Sequence, residues 1–269
     1  MTQNPDMLYF WIALWCYLGG TVAACVYAGV RRPAVRGIVF ALTLAGFLAN
    51  TVALIIRSVI SGHPPVTGLF EYMTLFAWCI VLGFLLLWRR KGLDLVAVFG
   101  ATAGALALAM ASLFPAEINQ QLIPALQSYW LWIHVSLAVL AEAAFTVAFV
   151  ASVMYLIGQG RDFRGMPDGR KLDTVTYRAI GIGFPLFTIG ALFAGAIWAQ
   201  KAWGSPWSWD PKETSSLIVW FIYAIYLHAR FVRGWSGSGA AWISVLGYAM
   251  TIFTILGSKI LGGLHSYGV

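Results

Sequence analysis

The sequence predicts an all-α polytopic membrane protein of about eight transmembrane helices, with both termini extracytoplasmic. Three observations predict it. Of 269 residues, 60% are hydrophobic and only 10% are charged, and the mean hydropathy is +0.79, a balance no soluble domain of this size shows. The apolar residues gather into runs that each approach the roughly 20 residues needed to cross a bilayer. Most Lys and Arg sit in short runs between alternate apolar segments, which assigns that side to the cytoplasm. Orientation therefore accounts for the net charge of +7, and a nucleic-acid role is rejected. Backbone groups in hydrocarbon must be satisfied within the protein, so the segments are helices.

In order, the segments cover approximately 8–30, 37–60, 69–88, 94–114, 129–157, 176–199, 214–230 and 239–261. The first lacks a preceding basic stretch and is followed by Arg31 and Arg32, so it reads as a retained helix and not a cleaved signal. The connections at Arg31 to Arg36, Arg89 to Lys91, Arg161 to Arg178 and Arg230 to Arg233 are basic. Outside then lie the His63 loop, the Pro115 to Ser128 loop, a tryptophan-rich loop over 199–213 and the tail Gly262-Gly263-Leu264-His265. The fifth segment is long, and its first residues, Tyr129 to Trp132, stand above the hydrocarbon. The glycines of the 158–175 connection make it a flexible loop. No part is long enough to fold separately, so 1–269 reads as a single transmembrane domain. Cys16, Cys25 and Cys79 fall inside apolar runs without a CxxC pair, which excludes a dithiol reductant and a covalent c-type haem site within this chain.

One stretch stands apart: Trp203-Gly204-Ser205-Pro206-Trp207-Ser208-Trp209-Asp210-Pro211-Lys212-Glu213, with Trp198 just upstream. Gly204 and Pro206 favour a bent, partly extended backbone that turns several indoles toward one surface. Asp210 fits a helix N-cap, Pro211 the first helical position and Glu213 the return partner of a capping box. An interfacial tryptophan belt would scatter its rings over many helix ends. Rings gathered in one loop beside an acidic cap suit a large flat aromatic ligand.

The chain has four histidines. His134 lies a few residues into the fifth segment and His265 follows the eighth, so both are outside. On either side of the tryptophan stretch they could supply two axial imidazoles to a haem. His228 is 15 residues beyond Glu213, roughly 22 Å further along a helix, and cannot share an iron with them. Its second ligand must come from elsewhere: Met154 is a weak candidate within the chain, a partner protein a better one. His63, followed by Pro64-Pro65, reads equally as a turn residue. Zinc is the rival metal, but no Cys or Asp cluster accompanies the histidines. Lys201 and Lys212 flank the tryptophans and suit carboxylates such as propionates, or lipid phosphates. Arg57 is read as snorkelling to the interface, with ligand contact as the alternative. Glu71 caps the third helix, and Glu142, deep in the fifth, should face other helices or a cavity.

The tryptophan stretch resembles the WWD signature of haem-handling membrane proteins. Its continuation, Leu217 to Tyr226-Leu227-His228-Ala229-Arg230, resembles the CcsA/ResC branch of system II cytochrome c biogenesis proteins, as does Gly62-His63-Pro64-Pro65-Val66-Thr67-Gly68-Leu69-Phe70-Glu71-Tyr72, where that branch has Ser-Asn in place of Thr67-Gly68. The resemblance covers the last two thirds of the chain. It implies haem b as a transferred substrate, a CcsB/ResB-type membrane partner that is here unfused, apocytochrome c as acceptor, and thioredoxin-like thiol-reducing factors. It implies a cytochrome c synthase (haem lyase) subunit in a bacterial inner or plasma membrane, or a thylakoid membrane. His134 and His265 match the external haem ligands, His228 the intramembrane one, and Trp203, Trp207, Trp209 and Asp210 the haem-contacting loop. No residue is assigned as catalytic. His63, Trp198, Lys212 and Arg57 are secondary candidates. The rival expectations are a CcmC-like haem transporter or chaperone and a HemX-like regulatory membrane protein, both without ligation activity.

Overall fold

The structure is a computed structural model that describes residues 5–160 and 165–266, with the side chains of 258–260 and 266 left out. It is all-helical over that range. Among the described residues, eight helical spans are long and apolar enough to cross a membrane. Two compact units divide the chain, one formed by residues 1–121 with 164–167, the other by 122–163 with 168–269.

The first unit holds α1 (Pro5–Val30), α2 (Pro33–Ser61), α3 (Leu69–Leu87) and α4 (Asp94–Ala111). The basic connection after α1 is shorter than the sequence suggests. Only Arg31 and Arg32 lie between the helices, because Pro33 at N1 starts α2 and Arg36 already belongs to its first turns. Arg36 bonds Asp94 (2.7 Å) and the Trp88 carbonyl (3.0 Å), closing that end of the unit. At the opposite end, Arg57 does not snorkel. It is 2% exposed, and its guanidinium bonds Asp6 (2.8 Å), Glu71 (2.9 Å) and the carbonyls of Ala116 (3.1 Å) and Glu117 (2.7 Å). The physical reason is that five donors in a rigid fork find acceptors on all sides, so the group has no need of water. The sequence predicts that Glu71 caps α3; α3 has no side-chain cap bond at its N-cap Gly68, and Glu71 instead accepts from the N–H and hydroxyl of Thr67, just ahead of the helix (both 2.8 Å).

The second unit opens with a short 3-10 turn (Pro124–Leu126), then α5 (Tyr129–Gly158). At 30 residues α5 is roughly 45 Å long, so one end must project beyond a hydrocarbon core of roughly 30 Å. The next span is continuous from Gly169 to Trp203 but changes pitch: α6 (Gly169–Phe187), a π-helical stretch (Thr188–Ala194) and α7 (Gly195–Trp203). Helix therefore replaces loop over 169–175, where Asp168 caps α6, and again over 200–203. Arg161, where the third basic connection was expected to begin, lies outside the described residues. Two spans complete the unit, α8 (Pro211–Arg233) and α9 (Ser238–Leu261). Phe145 of α5 stacks on Tyr223 of α8 at 3.8 Å, and Phe149 on Tyr248 of α9 at 4.4 Å. Glu142 is buried on α5 beside Tyr223 and Tyr248. At one end Arg230 pairs with Asp173 (2.8 Å) and bonds the Trp235 carbonyl, fixing the α8–α9 turn. The candidate site is at the other end.

Candidate functional site

The site is assembled from three parts of the second unit: the start of α5, the π stretch with α7, and the α8 N-terminus with the residues after α9. His134 projects from the second turn of α5. Its Nδ1–H donates to the carbonyl of Gly190 at 2.9 Å. That carbonyl also accepts the N–H of Gly195, an i→i+5 bond of the π stretch. The pitch change thus re-aims a backbone oxygen at the imidazole. The space is tight: a Cβ at Gly195 would lie 3.0 Å from the His134 ring, and one at Gly190 would run into Leu137.

Trp198 of α7 is buried, and its indole N–H donates to the Ala125 carbonyl at 2.8 Å. It stacks on His134, with ring centroids 5.8 Å apart and planes 9° from parallel. Trp203, the last residue of α7, meets Trp198 edge-on at 4.7 Å. The helix stops there because Gly204 turns left-handed (φ 81°).

Asp210 is the N-cap of α8. Its Oδ1 accepts the Lys212 N–H (2.8 Å), while Glu213 accepts from the Asp210 N–H (3.3 Å) and Ser208 N–H (2.7 Å), completing the capping box. The same carboxylate reaches across to the end of the chain. Its Oδ2 accepts the Leu264 N–H (2.6 Å) and its Oδ1 accepts from His265 Nδ1 (3.0 Å). The chain can double back because Gly262 and Gly263 take φ of 72° and 114°; a side chain at Gly263 would collide with the Asp210 carboxylate. His265 then lies 5.6 Å from Trp198 and 5.2 Å from Trp203, ring to ring.

Both candidate ligands therefore touch Trp198. With spacings of 5.8 and 5.6 Å taken end to end, their centroids are at most about 11.4 Å apart. Both line one small cleft, with Ala196, Pro206, Trp207, Lys212, Glu213 and Ser216 among its other walls. Each imidazole has Nδ1 committed as a donor, which leaves the lone pair on Nε2, the nitrogen suited to a metal. The electrostatics agree. Burial pushes His265 below the ordinary imidazole range, more than its bond to Asp210 raises it, so the ring is neutral near pH 7. Burial alone would raise the Asp210 carboxyl, but the hydrogen bonds from His265, Lys212 and Leu264 outweigh that and hold it at about 2.

The remaining candidates are spread more widely. Trp207 meets Trp209 edge-on at 5.7 Å, but Trp209 points outward, 69% exposed, on a left-handed backbone (φ 57°). Lys201 lies over the Tyr129 ring at 4.9 Å. α8 runs unbroken from Pro211 to Arg233, so His228 is far along it from Asp210; it is exposed, whereas Met154 is buried on α5. His63 and Arg57 belong to the first unit. Both ring nitrogens of His63 face backbone carbonyls, of Pro64 and Asn119, each at 2.9 Å. Sequence reasoning missed the Asp210–His265 bond and the Gly190 carbonyl. The glycines at 190 and 195, spaced by one π turn, were the only trace of the second.

Residues 66–265 match the family model described as cytochrome C assembly protein. The chain is 39% identical to the cytochrome c biogenesis protein CcsA of Chlamydomonas reinhardtii, over 80% of this chain and 64% of that protein. It is 35% identical to CcsA of Synechococcus elongatus (91% of this chain, 92% of the relative) and 37% identical to CcsA of Prochlorococcus marinus (96% and 88%). Among solved structures, the cytochrome c haem lyase CcmF shares the fold with a TM-score of 0.75 at 19% identity, over 97% of this chain and 49% of that one.

Proposed function

The chain belongs to the cytochrome c assembly protein family, in its CcsA-type branch, and we propose from that premise that it binds haem at the His134–His265 cleft and presents it to apocytochrome c. The observation that carries this reading is the meeting of two histidines, 131 positions apart in sequence, on one buried indole, each with Nδ1 tied back. Two neutral imidazoles, an aromatic floor and a lysine at the rim fit an iron porphyrin with its propionates. The fit requires the rings to open around the substrate, because Trp198 now borders both.

In this reading the porphyrin is the substrate and the protein supplies position. Nε2 of His134 and of His265 hold the iron from opposite faces. Trp203 and Trp207 pack against the macrocycle, and Lys212 meets a propionate. Each cysteine thiol of the acceptor adds across a vinyl group: a C–S bond forms, the thiol hydrogen goes to the vinyl carbon, and no net redox change occurs. His228, exposed on α8, would bind haem earlier on its route with a ligand from a CcsB/ResB-type partner. The membrane is the bacterial inner or plasma membrane or a thylakoid membrane, with the tryptophan loop on the extracytoplasmic side.

Replacing His134 or His265 with Ala in the purified chain should abolish the low-spin bis-imidazole absorption spectrum of added haem. An unchanged spectrum in both single variants refutes the site. Maturation of a reporter cytochrome c by this chain with its partner, and no other biogenesis factor, separates ligation from haem transport alone.

A further inference from the structure

The two imidazoles are tied back to acceptors of different charge. His134 donates to a backbone carbonyl that already takes the Gly195 N–H; His265 donates to a carboxylate. Asp210 accepts from three groups, Lys212 N–H, Leu264 N–H and His265 Nδ1, and these contacts favour its anionic form. The Asp210 and His265 side chains are only 2% and 9% exposed, so water screens the pair weakly. Hydrogen bonding to an anion draws the Nδ1 proton away and enriches Nε2 in electron density. A neutral carbonyl does this less.

We propose that the cleft holds its iron with two unequal ligands: His265, backed by Asp210, is the strong donor that stays, and His134, backed by the Gly190 carbonyl, is the one exchanged for the imidazole of the incoming apocytochrome. This rests on the reading of the cleft as a haem site. The step breaks one Fe–Nε2 bond and makes another, with no change in electron count. Asp210 is a positioning residue here, acting through His265. The asymmetry gives the exchange a direction, since the weaker donor dissociates sooner and the iron remains anchored to the protein while the acceptor engages. His134 loses nothing else on release, because its bond to Gly190 persists.

The test uses the full chain, purified in detergent and loaded with iron protoporphyrin IX. His134→Ala leaves His265 as the sole ligand and His265→Ala leaves His134. Resonance Raman of the ferrous five-coordinate forms should give a higher Fe–His stretching frequency in His134→Ala than in His265→Ala. Adding Asp210→Asn, which keeps an N-capping side chain, should lower the frequency and weaken haem retention by about 10–100-fold in the first background, with neither change in the second. In the otherwise intact chain, Asp210→Asn alone should raise the haem midpoint potential, because the anionic hydrogen bond favours ferric iron; this reading needs no histidine variant to fold. Equal frequencies, an equal response in both backgrounds or an unmoved potential overturns the inference while leaving the site. Persistent six-coordination in both histidine variants, or no haem bound by the unmodified chain, overturns the site and the inference together.

Discussion

Asp210 carries two jobs that can be separated. As N-cap it satisfies an orphan N–H of α8, and as acceptor for Leu264 and His265 it ties the chain end to that helix. Asp210→Ala should lose the cap, worth about 1 kcal/mol, and also strand two donors, at about 1–3 kcal/mol each where they remain buried. Asp210→Asn should keep most of the first term. Thermal unfolding in detergent, followed by tryptophan fluorescence, orders the three proteins as native, Asn, Ala. The pH dependence follows from sign. The folded-state carboxyl sits at about 2, below its ordinary 3.8, so its contribution is fully present above pH 3.8 and is lost as pH falls through about 2. The unfolding midpoint of the native chain should drop across that window, and this component should be missing in Asp210→Asn.

Among elements, the π stretch matters most, because it aims the Gly190 carbonyl and brings Gly195 against His134. Gly195→Ala puts a Cβ 3.0 Å from the imidazole and should distort the spectrum of bound haem with little loss of stability. Gly190→Ala would overlap Leu137 and should cost about 1–3 kcal/mol by overpacking, read as a lower unfolding midpoint. In the first unit, Arg57 neutralises Asp6 and Glu71 at the ends of α1 and α3. Arg57→Ala leaves two buried carboxylates facing each other and should destabilise by about 3–5 kcal/mol, whereas replacing all three with well-packed apolar residues should be far milder. Thermal midpoints of the two variants decide between a structural clasp and a ligand contact.

At the scale of the whole molecule, the charge pattern predicts the side of the membrane on which each connection lies, and that prediction is testable. Cysteines introduced at Ser205 and at Asp168 should be labelled by a membrane-impermeant maleimide in opposite ways: the first in intact cells, the second only after the membrane is opened. Labelling of Asp168→Cys in intact cells would reverse the assigned sidedness. The division into two four-span units places both cleft histidines in the second, so the Arg57 clasp and the haem reading can be tested independently.

Composition and periodicity alone determine that the chain is helical and spans a membrane, because hydrocarbon admits no other backbone solution for runs of this length and apolarity. Local chemistry also reveals the cap at Asp210 and the stop at Gly204, since each depends on a few adjacent residues. The tryptophan stretch marks the neighbourhood of the site for the same reason. What only tertiary structure decides is which distant groups meet. Arg57 is a snorkelling residue by its position and a buried clasp by its partners, which come from residues 6, 71, 116 and 117. Asp210 finds His265 because two glycines fold the chain end back, and His134 finds Gly190 because one helix changes pitch. Hydrogen bonds between residues more than 50 positions apart leave no periodic trace in a sequence, and here they set the tautomer of each imidazole.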